Sequence, residues 1–349
     1  MMMKERSARK ELPPALYRAI AFFALAALAI AIFSAIEPRY LSARNLTAVT
    51  RHMAANGLAA LGLTFVVVVR KYDLSFPGIA SFAAMTIGFM IAGGYSLGIA
   101  IAGGLAVGIA VGLVNGIAVS YARLPDIVTT IATGSIVGGA AFLYTGGRTI
   151  FQNFMTSGLI DLNDIRFLGL NASVYFLLAV YVIAYVVMHR SRFGSSFYAT
   201  GENPVSAHFS GIPVRLYTMS AFAVCAATSV LAVVLILAES GTADTNEGAN
   251  FLMPAYASVF LGAALLGGAS IPATLAGTAL ITILLDGFSL LGVPYYYSDG
   301  VVSTILLAGV ILFDERLRSR FAMFAGFLGF GGAGSRETGA GRKIGTVRS

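Results

Sequence analysis

The chain has 349 residues, 57% of them hydrophobic and 11% charged, with a mean hydropathy of +0.82. A water-soluble surface on a chain of this size needs far more charge, and the apolar runs are continuous rather than the alternating ten-residue segments of a β-barrel. The composition therefore points to an all-α polytopic membrane protein. Its net charge of +7 lies at the ends of apolar runs and in the tails, as membrane topology requires, so it does not call for a nucleic-acid partner.

Lys4, Arg6, Arg9 and Lys10 precede the first apolar run, Leu16 to Ile36. Residues 1–15 thus read as a cytoplasmic tail, and residues 16–313 as the transmembrane domain. The run ends in Ile36-Glu37-Pro38-Arg39-Tyr40, not in a small-residue cleavage site, so it is kept as an anchor. Residues 38–53 are polar and read as an interfacial helix capped by Ser42 or Asn45. Gly57 to Val69 is short for a span of ~20 residues. It stops at Arg70-Lys71-Tyr72-Asp73, and apolar sequence resumes after Leu74-Ser75-Phe76-Pro77-Gly78. Ser75 is placed to cap the next helix, with Pro77 in its first turn. Two readings stand for this interruption: a discontinuous helix beside a transport path, or an ordinary cytoplasmic loop.

Further runs cover Ser96 to Tyr121, with Asn115-Gly116 inside it, Ile127 to Tyr144 and Asn171 to Met188. Parity then places residues 189–214 in the cytoplasm, held there by Arg190 and Arg192. Arg215 to Leu237 follows, then an outside loop from Glu239 to Asn250 with acidic and no basic residues. Three more runs, Pro254 to Leu266, Ala273 to Leu291 and Val301 to Phe313, bring the expected spans to about ten. Both termini are expected inside, with residues 314–349 a disordered cytoplasmic tail. Arg39, Arg44 and Arg51 locally violate the positive-inside pattern. Ser75-Phe76-Pro77 and Ser270-Ile271-Pro272 echo one another, each following a short apolar run and opening another.

Chemistry is sparse. The chain carries no Gly-x-x-x-x-Gly-Lys-[Ser/Thr] phosphate loop, no His-Glu-x-x-His and no Gly-x-Ser-x-Gly. His52, His189 and His208 are not at metal-ligand spacing, so neither a metal nor a catalytic residue is expected. Cys225, the single cysteine, excludes an intrachain disulfide. Asp73 and Asp286 are the acids nearest membrane depth, few for an ion-coupled carrier. Transport driven by an external engine is favoured over self-powered transport.

An ordered series of motifs sharpens this. Leu61-Gly62-Leu63-Thr64, Asp73-Leu74-Ser75, Asn115-Gly116, Leu124-Pro125, Gly146-Gly147-Arg148, Gly201-Glu202-Asn203-Pro204, Ser210-Gly211-Ile212, Leu266-Gly267-Gly268 with Ser270, and Gly277-Thr278 stand in sequence between about 40 and 313. The series resembles the inner-membrane permeases of bacterial ABC importers for ribose, xylose and related sugars. The resemblance implies a ten-helix permease of the vitamin-B12-importer (type II) architecture in the bacterial inner membrane. It implies a second permease subunit, identical or homologous, a cytoplasmic ABC ATPase that binds the ATP, and a periplasmic sugar-binding protein, with membrane lipid around them. This chain would hold no cofactor. A short coupling helix would dock on the ATPase, here Asn203, Pro204, Val205, Ser206, Ala207, His208, Phe209, Ser210 and Gly211.

Asn56, Asp73, Ser75, Asn115 and Ser270 are candidates for the translocation path or the broken-helix framework. For each of them an interhelical hydrogen bond is the competing role. Two departures stand out. Arg70-Lys71 occupies the place where relatives have glycines, and Val205-Ser206-Ala207-His208 replaces their usual coupling residues. A ribose- or xylose-like sugar or polyol is the expected cargo. A nucleoside or furanosyl signalling molecule is the alternative, and an ion-coupled carrier a more distant one.

Overall fold

The computed structural model describes residues 14–294 and 297–313. The two tails with their basic clusters, and Tyr295 and Tyr296, lie outside the described residues. Within these limits the chain is helical apart from turns and one two-residue hairpin, Arg166–Phe167 against Leu170–Asn171.

Ten apolar helices occur among the described residues: α1 (Pro14–Ile36), α2 (Ala43–Val68), α3 (Phe76–Ala92), α4 (Leu97–Ser120), α5 (Asp126–Ala141), α7 (Ala172–Arg190), α10 (Val214–Ser240), α11 (Leu252–Leu266), α12 (Ile271–Leu290) and α13 (Ser298–Phe313). Three short ones intervene: α6 (Asp161–Asp164), α8 (Arg192–Glu202) and α9 (Pro204–Phe209). Seven stretches are long and apolar enough to cross a membrane, those of α2, α4, α5, α7, α10, α11 and α12, three-ten turns included for α5 and α11.

Three expectations change. The interfacial helix and the run after it are one element, because α2 is continuous for 26 residues from its Ser42 cap, whose hydroxyl accepts from the Asn45 amide at 3.3 Å. No Pro falls within it, so its polar first half extends the apolar second. Ser75 sits at the cap position of α3, but its hydroxyl does not cap. The stretch after Glu239 is not a simple outside loop, as described below.

Helices α2 and α10 form the buried centre, with Leu58, Leu61, Phe222, Cys225, Ala226 and Val230 all shielded from solvent. Small residues set the spacing. Gly104, Gly108, Gly112 and Gly116 form one strip of α4, and a methyl added at Gly112 would meet the Phe222 carbonyl oxygen at 2.8 Å. Backbones approach this closely in lipid-facing bundles because little hydrophobic drive remains to hold helices together, so close packing must do so.

The bundle has two ends. At one, α8 meets the end of α2, the start of α10 and the turn between α11 and α12, where the Tyr198 hydroxyl donates to the Ala269 carbonyl at 3.1 Å, and α9 follows beside α10. At the other, Asn45 donates to Asp286 at 2.7 Å, and Ile150 pairs with Ala243 through backbone hydrogen bonds of 2.9 and 2.8 Å.

Candidate functional site

The α8–α9 end carries the polar interruption between α7 and α10. Ser191 accepts from the Phe193 amide at 3.1 Å and starts α8. Phe197 of α8 is buried edge-on between Phe65 of α2 and Tyr217 of α10, with ring centroids 5.4 and 5.0 Å away. Burial pushes the Tyr198 phenol above its usual value. Gly201 packs against the Val68 carbonyl, where a side chain would collide with backbone. So α8 is clamped to α2 and α10, and through Tyr198 to the start of α12.

Asn203 then breaks the helix, and its side-chain oxygen accepts from the Ser206 amide at 3.0 Å. With Pro204 in the first turn, this starts α9. The turn closes at Gly211, whose φ of +82° lies in the left-handed region that favours glycine. Ala207 is buried, whereas Val205 and Phe209 are 63% and 85% exposed. Two bare apolar side chains on a six-residue helix form a knob that no described residue covers. Beside α9 a cavity of about 380 Å³ is lined by Arg70, Lys71, Glu202, Pro204 and Arg215 among others.

Three of the five polar candidates come together. Asn115 of α4 donates to the Ser75 hydroxyl at 2.7 Å, and that hydroxyl donates to Asp73 Oδ1 at 2.5 Å. The Ser75 amide donates to the same oxygen at 2.8 Å. Asp73, Ser75 and Asn115 are each 0% exposed. Ser75 thus keeps the cap position of α3, while the side-chain acceptor there is Asp73. Ser270 does cap, accepting from the Ala273 amide at 3.3 Å at the start of α12, so the Ser-x-Pro echo is alike in position and unlike in bonding. Asn56 is half-buried on α2, away from this cluster.

Sequence reasoning missed three partners of the break at residues 70–75. Tyr256 of α11 donates its hydroxyl to the Asp73 carbonyl at 2.9 Å and accepts from the Asp73 amide at 3.1 Å. Thr130 accepts from the Leu74 amide at 3.1 Å, and Asp126 from the Tyr72 amide at 2.8 Å. Asp126, an acid just after Pro125 at a helix start, was the legible signal among these. Arg70 is exposed, with φ at +55°, and neither it nor Lys71 forms an ion pair with Asp73. The two cations thus leave the buried carboxylate to its hydroxyl and amide partners.

The comparisons with known proteins show the family. A family described as the permease component of the branched-chain amino acid transport system matches residues 45–310. Autoinducer 2 import system permease protein LsrC of Salmonella typhimurium is 31% identical over 297 residues, covering 84% of this chain and 85% of the relative. LsrD of Salmonella paratyphi A is 32% identical over 300 residues, covering 84% and 90%. No solved structure matches the chain at a significant level. With most of its length matched, the chain belongs to this family of binding-protein-dependent transport permeases, the membrane subunits of ABC importers.

Proposed function

We propose that the chain forms half of the translocation path of an ABC importer for a small, neutral, hydroxyl-rich cargo of the furanosyl kind, powered through α9. The observation that carries this is the clamped pair α8 and α9: an exposed Val205–Phe209 knob on a platform tied to α2, α10 and α12. A push on the knob is delivered to three helices at once, which alternating access by rigid elements requires. The cations Arg70, Lys71 and Arg215 beside it suit an acidic rim on the ATPase groove.

In this reading the α8–α9 end and both termini face the cytoplasm. The ATP stays on the partner ATPase, and a second permease subunit closes the path. The binding protein delivers cargo at the opposite end, where Arg44 and Arg166 line a hollow of about 900 Å³. The furanosyl preference comes from the two relatives, each named an autoinducer 2 import permease. A ribose- or xylose-like sugar is the second reading, since both cargoes present hydroxyls and a small ring.

The test is uptake by proteoliposomes holding the chain with its permease partner, ATPase and binding protein. Labelled autoinducer 2 and labelled ribose are the probes. ATP-dependent uptake of the former over the latter is expected. Uptake by the chain without any ATPase would replace this reading with an ion-coupled carrier.

A further inference from the structure

The segment between α10 and α11 leaves the opposite end and descends into the bundle. Ala243 starts at that end, paired with Ile150 and packed against Gly88 of α3. Five residues on, the Gly248 amide donates to the Ser81 hydroxyl at 3.0 Å, and Gly248 lies against the Pro77 carbonyl. On Ala243's side α3 ends at Ala92, one turn beyond Gly88, and the Ala92 carbonyl accepts from Asn153 at 3.0 Å. From Ser81 to Ala92 the helix rises about 16 Å at 1.5 Å per residue. Gly248 therefore lies about half a hydrocarbon thickness below that end. Helix α11, with only 15 residues, starts at this depth and reaches the other end.

Irregular backbone at membrane depth is tolerated where protein buries it or where it borders water. Gly248 and Phe251 are buried against α3 and its neighbours, but Asn246, Ala249 and Asn250 are exposed. Two asparagines facing lipid tails would be left without hydrogen-bond partners. The carboxylate of Asp244 is occupied on both oxygens, by the Thr149 hydroxyl at 3.0 Å and the Asn246 amide at 2.9 Å. Glu247, half-buried, forms no side-chain hydrogen bond with any described residue. No Lys or Arg occurs from Glu239 to Pro254.

We infer that residues 244–250 line the aqueous path and that Glu247 is its charge-selecting carboxylate, accepting from cargo hydroxyls while Asn246 and Asn250 supply amides. The contacts with cargo rest on the permease reading; the placement of the segment in water does not. A carboxylate flanked by amides, on a segment without Lys or Arg, admits neutral polyols and turns away anions.

The test uses the full chain with Cys225→Ala, so that single cysteines at Asn246, Glu247 or Asn250 are the only thiols. Membranes are treated with a cationic and an anionic water-soluble methanethiosulfonate. All three positions are expected to react, while Val182→Cys and Ile183→Cys on the outward face of α7 do not. Asn250→Cys should react about tenfold faster with the cationic reagent, and Glu247→Gln added to it should remove most of that preference. Thiols at 246, 247 and 250 that react no faster than those on α7 would overturn the inference. So would a preference that Glu247→Gln leaves unchanged. Loss of any response to ATP and vanadate in the assembled importer, with the labelling pattern intact, would count against the permease reading alone.

Discussion

Arg70 holds a backbone angle that glycine adopts freely and a branched residue resists. Its φ of +55° explains why glycine suits this position in similar permeases, and why an exposed, flexible side chain is tolerated instead. Arg70→Val is expected to cost about 1–2 kcal/mol, since it puts a β-branched side chain in the left-handed region. Arg70→Gly is expected to be neutral within about 1 kcal/mol, strain relief offsetting chain entropy. Thermal midpoints of the detergent-purified chain check both. Next to it, Asp73→Ala removes the acceptor of the Ser75 hydroxyl and amide and leaves two buried donors without it. A loss of about 1–3 kcal/mol follows. If Asp73→Ala and wild type melt together, the network is not structural.

At the scale of elements, apolar run lengths placed the helices well, and the ten expected runs each correspond to one apolar helix among the described residues. What they could not show was the break between α10 and α11. Glu239 to Asn250 has the composition of an outside loop, and only the shortness of the run from Pro254 hinted that α11 begins inside the bundle. The backbone descent depends on Gly248 fitting against Pro77 and Ser81, a contact between residues far apart in sequence. Likewise the gathering of Asp73, Ser75 and Asn115 was invisible, because it requires α4 to lie on α3 at the register its glycines permit. That register gives a prediction. Gly112→Leu drives a side chain into the Phe222 carbonyl and the Ala223 backbone, which cannot yield as a flexible side chain would. The cost exceeds the ~1–3 kcal/mol of ordinary overpacking, and yield of folded chain should collapse, whereas Gly138→Leu, in open space, should express normally.

For the whole molecule, the proposed drive passes through one mechanical link, helix α9. The position of helix α9 came from the family resemblance, through Gly201-Glu202-Asn203-Pro204 and Ser210-Gly211-Ile212, and in the structure Asn203 caps its start. Its clamp was not legible, because Phe197, Tyr198 and Gly201 find their partners on α2, α10 and the α11–α12 turn. The exposed knob of Val205 and Phe209 takes no part in that clamp. Charging it should leave the permease folded and inserted while disengaging the engine. Phe209→Asp is therefore the most direct measurement. ATP-driven uptake by the reconstituted importer is expected to fall at least about tenfold, the weight of a buried aromatic anchor in an interface, with membrane insertion and thermal midpoint unchanged. Wild-type uptake by a correctly inserted Phe209→Asp chain would contradict the claim that α9 carries the drive.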